Sequence, residues 1–146
     1  MRVRDILDHK GRRVVTIRPD ATVSTAVHRL ALERVGALVV SEDGRHVAGM
    51  ISERDIVRAL AEDGAELLAT GRRVADLMTR HVQTCTPDDS VKHIMGIMTR
   101  HHIRHVPVLE NGQLAGIISI GDVVNNRLHE VELEANVLRE AYIAAH

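Results

Sequence analysis

A serine followed three residues later by an aspartate occurs twice in this sequence, each time after a glycine and two apolar residues. The first pair is Ser52 and Asp55, and the second is Ser119 and Asp122. Where a helix begins at such a serine, its hydroxyl and the free backbone N–H groups of the first turn suit an anion such as a phosphate. An ionised carboxylate only accepts hydrogen bonds, so it suits two sugar hydroxyls that donate together. The pattern predicts a site for a sugar and a phosphate.

The same spacing also has a structural interpretation that needs no ligand. Ser-x-x-Asp is the spacing of a capping box, which starts helices in proteins that bind nothing. One copy alone would favour this interpretation. Two copies at equivalent positions of a repeat favour a binding site, and both interpretations stay open at this point.

The two pairs belong to a longer internal repeat. Residues 16–20 match residues 84–88, and residues 3–7 match residues 74–78, with offsets that fall from 71 to 67 along the repeat. Two copies are too few for a solenoid, in which each unit stacks on several neighbours. We therefore expect the copies to bury their apolar faces against each other in one pseudo-symmetric module.

Each repeat is predicted as strand, helix, strand, strand and helix, which is a mixed α/β (α+β) fold. Pro19 ends the first strand, and the hairpin turns are Asp43-Gly44 and Asn111-Gly112. The predicted elements of the first repeat are strand 14–17, helix 23–35, strands 37–40 and 47–51, and helix 54–61. Those of the second are strand 82–86, helix 91–98, strands 106–109 and 114–119, and a helix from residue 122. The predicted divisions are repeat 1 over 1–64, a linker over 65–73, repeat 2 over 74–128 and a helical tail over 129–146.

Composition excludes several classes of protein. The chain has 146 residues, 45% of them hydrophobic, which suits one packed domain. A net charge of -1 gives no field that would attract nucleic acid or anionic lipid. Cys85 is the single cysteine, the N-terminus has no apolar signal core, and no uncharged stretch is long enough for a membrane span. A cytoplasmic protein is expected.

The repeats resemble the CBS domain, whose tandem pair is called a Bateman module. The resemblance covers residues 1–128 and rests on the element order, both Gly-apolar-x-Ser-x-x-Asp motifs, both turns and both Thr-x-x-Pro segments. It implies a regulatory module that binds AMP, or alternatively ATP or NAD/NADH, with no catalytic residue and no catalytic cofactor. It also implies nucleotide clefts between the two repeats.

Within those clefts, the resemblance and the residue chemistry together give a set of candidate contacts. The two aspartates would bind ribose and the two serines would lie near phosphate. The basic groups differ between the repeats and could surround phosphates, since arginine makes bidentate phosphate contacts, although each arginine could also be a solvated surface charge. Proline within a short strand leaves neighbouring backbone groups free for an adenine edge. The predicted nucleotide-binding residues are Thr16, Ser52, Arg54, Asp55, Thr84, Thr86, Pro87, Arg104, His105, Pro107, Ser119 and Asp122.

Other motifs argue against a metal site or an enzyme. His101 and His105 have a spacing that suits zinc on a helix, but the intervening residues are predicted to pass from helix to strand. There is no CxxC, HExxH or GxGxxG. Residues 116–121 begin like a phosphate loop, but Asp122 stands where that motif needs lysine. Cys85 is expected to be a small core residue.

The segment after the second repeat shows a heptad pattern. Its apolar residues recur at alternating steps of four and three, which predicts an amphipathic helix that packs on protein. We expect a homodimer to which this helix contributes, and an effector protein as a further partner. The alternative function is a structural dimerisation adaptor whose nucleotide clefts are vestigial. The recurring residues are Val124, Leu128, Val131, Ala135, Leu138, Tyr142 and Ala145.

Overall fold

The computed structural model describes residues 1–145, which form seven helices and five strands. His146, the last residue of the predicted tail, lies outside the described residues. In chain order the elements are α1 (Val3–Lys10), β1 (Thr16–Ile17), α2 (Val23–Glu33), β2 (Ala37–Val40), β3 (Gly49–Ser52), α3 (Glu53–Asp63), α4 (Glu66–Ala69), α5 (Val74–Leu77), α6 (Val91–His101), β4 (His105–Glu110), β5 (Gln113–Ser119) and α7 (Ile120–Ala145).

The strands form two small sheets, one in each repeat. In the first repeat β1 is parallel to β2, and β2 is antiparallel to β3. In the second repeat β4 and β5 form an antiparallel hairpin. Asn111 and Gly112 at its turn have φ of 54° and 76°, the left-handed geometry of a tight hairpin. The predicted mixed fold of two similar halves is confirmed.

One predicted strand, over residues 82–86, is reduced to a single bridge between Cys85 and Val108. In the first repeat the N–H of Val39 donates to the carbonyl of Val15, at 3.2 Å. The equivalent of Val39 in the second repeat is Pro107, which has no N–H to donate. The ladder therefore cannot extend beyond Cys85 towards residue 83.

The first helices of the two repeats are exchanged. Val3 and Leu7 of α1 lie in the apolar core of the second repeat, whereas Val74 of α5 lies in the core of the first. Equivalent backbone hydrogen bonds fix both helices, from Val3 N to Asp89 O at 2.9 Å and from Val74 N to Ala21 O at 2.8 Å. Each repeat thus completes its core with a helix that belongs, in sequence, to the other repeat.

The two sheets also pack against each other. Ala37, Val39 and Met50 form a third buried cluster, against which Leu114 and Ile117 of the second repeat pack. This contact joins the repeats into one module, as the sequence predicted. The domain boundaries remain predictions, although the exchanged helices mean that neither predicted repeat contains its whole core.

The segments that connect and follow the repeats are helical. The predicted linker 65–73 contains α4, which places Leu67 in the core of the first repeat. The last helix, α7, is 26 residues long and merges the last helix of repeat 2 with the predicted tail. None of the helices within residues 1–145 combines the length and apolar character needed to cross a bilayer.

Candidate functional site

A cleft of about 720 Å³ opens between the two repeats. Its first wall consists of the start of β2 and the first turn of α3, and its second wall consists of residues 101–105 and the first turn of α7. The volume lies within the range of roughly 300–1,000 Å³ that is typical of small-molecule sites. The cleft therefore has contributions from both Ser-x-x-Asp motifs.

The first motif forms a capping box at the start of α3. The N–H of Ser52 donates to Asp55 Oδ2 at 2.8 Å, and the N–H of Asp55 donates to Ser52 Oγ at 3.4 Å. The Ser52 hydroxyl also donates to Asp55 Oδ2, at 3.1 Å. Within residues 1–145, no hydrogen bond reaches Asp55 Oδ1. The structural interpretation of the motif is thus correct. Asp55 also lines the cleft, and its Oδ1 is left as an unused acceptor.

The second motif forms the same capping box but has an additional partner. The N–H of Ser119 donates to Asp122 Oδ2 at 2.8 Å, and Lys10 Nζ donates to the same oxygen at 2.7 Å. Lys10 also donates to the carbonyl of Ile117, at 2.9 Å. Burial raises the pKa of the Asp122 carboxyl, but the hydrogen bonds from Lys10 and Ser119 outweigh it and hold the pKa below its ordinary value. Lys10 thus joins α1 to Asp122. Asp122 is not among the residues that line the central cleft.

The central cleft is rich in basic side chains. Arg54 and Arg58 come from α3, one helical turn apart, and Arg104 comes from the opposite wall. Four histidines also line the cleft, whereas its acidic side chains are those of Glu53 and Asp55. Such an excess of cationic and donor groups suits an anionic ligand. The histidines are His81, His101, His102 and His105.

Gly36 and His105 meet across the interface between the repeats. A Cβ atom on Gly36 would lie 3.2 Å from His105 Cε1, so the absence of a side chain lets the imidazole lie close to the first repeat. Burial lowers the pKa of His105, while the carboxylates of Glu53 and Asp122 act in the opposite direction. The imidazole is therefore mainly neutral at pH 7, with one nitrogen as donor and the other as acceptor.

The structure brings six of the twelve predicted site residues together at the central cleft: Ser52, Arg54, Asp55, Arg104, His105 and Ser119. Thr16 lines a separate, open cleft of about 590 Å³ beside Arg18 and Arg29. The other five lie outside both clefts: Thr84, Thr86, Pro87, Pro107 and Asp122. Four of these five make internal contacts. Asp122 accepts from Lys10 and Ser119, while Thr86 N donates to Asp89, Arg4 N to the Pro87 carbonyl and Cys85 N to the Pro107 carbonyl.

Sequence reasoning missed Arg58, Gly36 and His81 as cleft residues. Arg58 was detectable, because it follows Arg54 by one helical turn and so lies on the same helix face. His81 stands 71 residues after Lys10, at the equivalent position of the repeat, but this equivalence points to a site only once the structure shows Lys10 beside Asp122. The repeat therefore places a basic group near each motif.

No group of three or more metal-binding side chains is present within the part of the chain that the structure describes. His101 is the last residue of α6 and His105 is the first of β4. The two histidines thus do not share a helix face, as the sequence analysis expected.

Lys10→Ala should destabilise the fold at neutral pH and make little difference in acid. Because the pKa of Asp122 is lowered in the folded state, its ion pair stabilises the fold above the unfolded pKa, and this stabilisation is lost as the pH falls through the folded pKa. The difference in melting temperature between wild type and variant should therefore shrink from pH 7 to pH 3. Lys92→Ala, which removes an exposed lysine, is the control and should show no such trend. A constant difference would mean that Lys10 acts through packing alone.

Comparison with known proteins agrees with these features. The CBS domain model matches residues 3–62 and 74–129. CBS domain-containing protein CBSX3, mitochondrial, of Arabidopsis thaliana is 36% identical over 149 residues, covering 97% of this chain and 71% of that protein. The crystal structure of the CBS-domain containing protein ATU1752 from Agrobacterium tumefaciens has 47% identity and a TM-score of 0.83, covering 87% of this chain and 99% of that chain.

A further structural relative was solved with ligands bound. The CBS domain pair of protein MJ0100, in complex with 5′-methylthioadenosine and S-adenosyl-L-methionine, has 25% identity and a TM-score of 0.74, covering 86% of this chain and 98% of that chain. Both molecules contain adenosine. The two sequence repeats, the two similar halves and the two family matches coincide, and this chain belongs to the CBS domain family.

Proposed function

We propose that this protein is a regulatory module that senses an adenine nucleotide in the central cleft and has no catalytic activity of its own. The observation that carries the proposal is the juxtaposition of Asp55, with one acceptor oxygen unused, and the arginines on both walls. The adenosine ligands of the MJ0100 domain pair support it. AMP is the proposed ligand, with ATP and NAD/NADH as alternatives.

In this proposal the ligand is held by groups from both repeats. Asp55 Oδ1 accepts hydrogen bonds from the ribose hydroxyls, and Ser52 lies beside the free N–H groups of α3. Arg54 and Arg104 approach the phosphate from opposite walls. Asp122 could accept hydrogen bonds from a second ribose through Oδ1, because Lys10 and Ser119 both donate to its Oδ2. Nucleotide binding by Thr16, Thr84, Thr86, Pro87 and Pro107 remains a prediction.

Binding in the cleft would be coupled to the last helix. Ser119, Ile120 and Gly121 at the start of α7 line the cleft, and the same helix continues to Ala145. A ligand that fixes the first turn therefore acts on the element that carries the exposed tail. We propose that the tail serves a homodimer and an effector protein in the cytoplasm.

A melting experiment tests the sensor function. AMP, ADP, ATP, NAD and NADH should be compared with adenosine, which lacks the phosphate. At least one nucleotide should raise the melting temperature, and the rise should grow with the logarithm of its concentration. At a hundred times the dissociation constant, the free energy of unfolding should increase by about 2.7 kcal/mol. Adenosine should have a smaller effect because it cannot engage the arginines. If no nucleotide changes melting at millimolar concentration, the sensor proposal fails.

The second candidate function is a dimerisation adaptor with vestigial clefts. The observation that favours it is the apolar surface of the tail, since Leu128, Leu138 and Ile143 are all exposed within one subunit. The same melting experiment separates the two functions. An adaptor would dimerise without responding to any of the nucleotides.

A further inference from the structure

The second half of α7 extends beyond the CBS domain and leaves apolar side chains uncovered. The family match ends at residue 129, whereas the helix continues to Ala145. Residues 131–145 are exposed throughout, including Val131 and Leu138. A single helix with this much apolar surface in water is typical of an unpartnered interface.

The apolar residues that form the heptad pattern occupy one face of α7. Leu128, Ala135 and Tyr142 take the first core position of the heptad, called a, and Val124, Val131, Leu138 and Ala145 take the second, called d. Alternating steps of four and three are the pattern by which two helices supercoil and interdigitate. We call this surface the a/d face.

Charged residues of alternating sign flank the a/d face. Arg127 and Glu134 lie on one side of it, at the g positions, and Glu132 and Arg139 lie on the other, at the e positions. In a parallel pair each g residue meets the e residue five positions further along the partner. Arg127 then meets the partner's Glu132, and Glu134 meets the partner's Arg139. Twofold symmetry doubles each pair, so every one of these four residues meets an opposite charge.

Within the described chain, Glu134 and Arg139 make no ion pair in their own subunit, whereas Arg127 already pairs with Glu130 at 3.3 Å. The pair between Glu134 and the partner's Arg139 therefore needs no internal contact to break. Its strength would be modest because exposed ion pairs contribute little to stability, but opposite charges at e and g select partner and orientation.

We infer that residues 124–145 pair with the same segment of a second copy of this chain as a parallel, in-register, two-stranded coiled coil. The inference rests on the homodimer of the proposed function and does not depend on nucleotide binding. It gives that dimer a defined contact: the a/d face at the centre, and the e and g charges at its edges.

An antiparallel pair matches the charges less well. The alignment that sets Leu128 against the partner's Ala145 keeps six apolar layers. It brings Glu132 to the partner's Arg139, but it leaves Arg127 and Glu134 without an opposite charge. Two of the four flanking residues thus lose their match, and for this reason the parallel arrangement is favoured.

A Leu128→Cys variant tests the orientation. In a parallel pair position 128 faces itself, so mild oxidation should join most of the dimer through a disulfide. In the antiparallel pair the two copies of residue 128 would be separated by roughly 25 Å, from a rise of about 1.5 Å per residue, and no disulfide could form. Cys85 is buried and does not compete. A dimer that stays uncrosslinked would overturn the parallel arrangement.

A matched pair of variants tests the face. Leu138→Asp places a charge on the a/d face, and Val137→Asp places the same charge on the opposite side of the helix, at similar exposures of 71% and 64%. Measured by analytical ultracentrifugation, Leu138→Asp should weaken the dimer by at least about tenfold because a buried charge is unpaired. Val137→Asp should leave it nearly unchanged. Equal effects would contradict the proposed face.

Charge reversal tests the edges of the contact. Glu134→Arg and Arg139→Glu should each weaken the dimer, since each sets like charges opposite one another, and the double variant should restore it. Failure of the double variant to recover would exclude this pair. A monomeric wild type would refute the dimer itself, whereas a dimer that tolerates every tail variant would refute only the coiled coil. In both cases the nucleotide melting experiment still decides the sensor function.

Discussion

Leu7→Ala is expected to destabilise the entire fold by about 2–5 kcal/mol, the range for removing a fully buried leucine side chain. Leu7 belongs to the first repeat in sequence, but it is 1% exposed and lies in the core of the second. A Cβ atom on Gly116 would lie 2.6 Å from Leu7 Cδ2, so the side chain fits closely against β5. The change should appear in the midpoint of urea unfolding.

Leu32→Ala is the matched control for this experiment. Leu32 lies on α2 and is 78% exposed, so its removal should change stability by no more than about 0.5 kcal/mol. Leu7→Ala should also preserve a single transition, because the contact joins the two repeats. If the second repeat unfolded separately from the first, or if both variants behaved alike, the exchange of helices would not contribute to stability as described.

Asp55→Ala is expected to weaken adenine-nucleotide binding by about 1.5–3 kcal/mol, the scale for hydrogen bonds to a charged group. The reason is the loss of the acceptor oxygen that faces the ribose in our proposal. Isothermal titration calorimetry on the wild type and the variant measures the change. Adenosine should lose affinity in parallel, because the ribose contact does not depend on the phosphate.

Asp122→Ala is the control that the repeat itself provides. It removes the carboxylate of the equivalent capping box, which pairs with Lys10 and does not line the central cleft. It should lower the melting temperature and leave the affinity of the central cleft nearly unchanged. Equal losses of affinity in both variants would show that the two motifs bind ligand alike, as the sequence analysis predicted.

The sequence predicted where helices and strands occur better than it predicted which of them pack together. The spacing of apolar residues, the turn residues and the internal repeat can all be found in the sequence itself. They located both hairpins and both capping boxes. The repeat even matched residues 3–7 with 74–78, although it predicted no helix at either place, where the structure has α1 and α5. It could not show that Leu7 packs in the other half, because an amphipathic helix carries the same apolar pattern whichever core it enters.

Two details depended on contacts that are distant in sequence. The strand predicted at 82–86 is lost because its neighbour is Pro107, more than twenty residues away. Asp122 differs from Asp55 because it pairs with Lys10, which is 112 residues away in sequence. The central cleft was predicted only in part for the same reason, since Gly36 and His81 have meaning there only after the two repeats are packed together.

The exchange of α1 and α5 also governs how the chain can fold during synthesis. When the first repeat has left the ribosome, its core still lacks Val74 of α5, and α1 has no surface on which to bury Val3 and Leu7. Neither repeat can therefore become native by itself, although domains usually fold one after another as they emerge. The chain must complete both halves together, and a truncated product that ends between the repeats would expose apolar surface to chaperones and proteases.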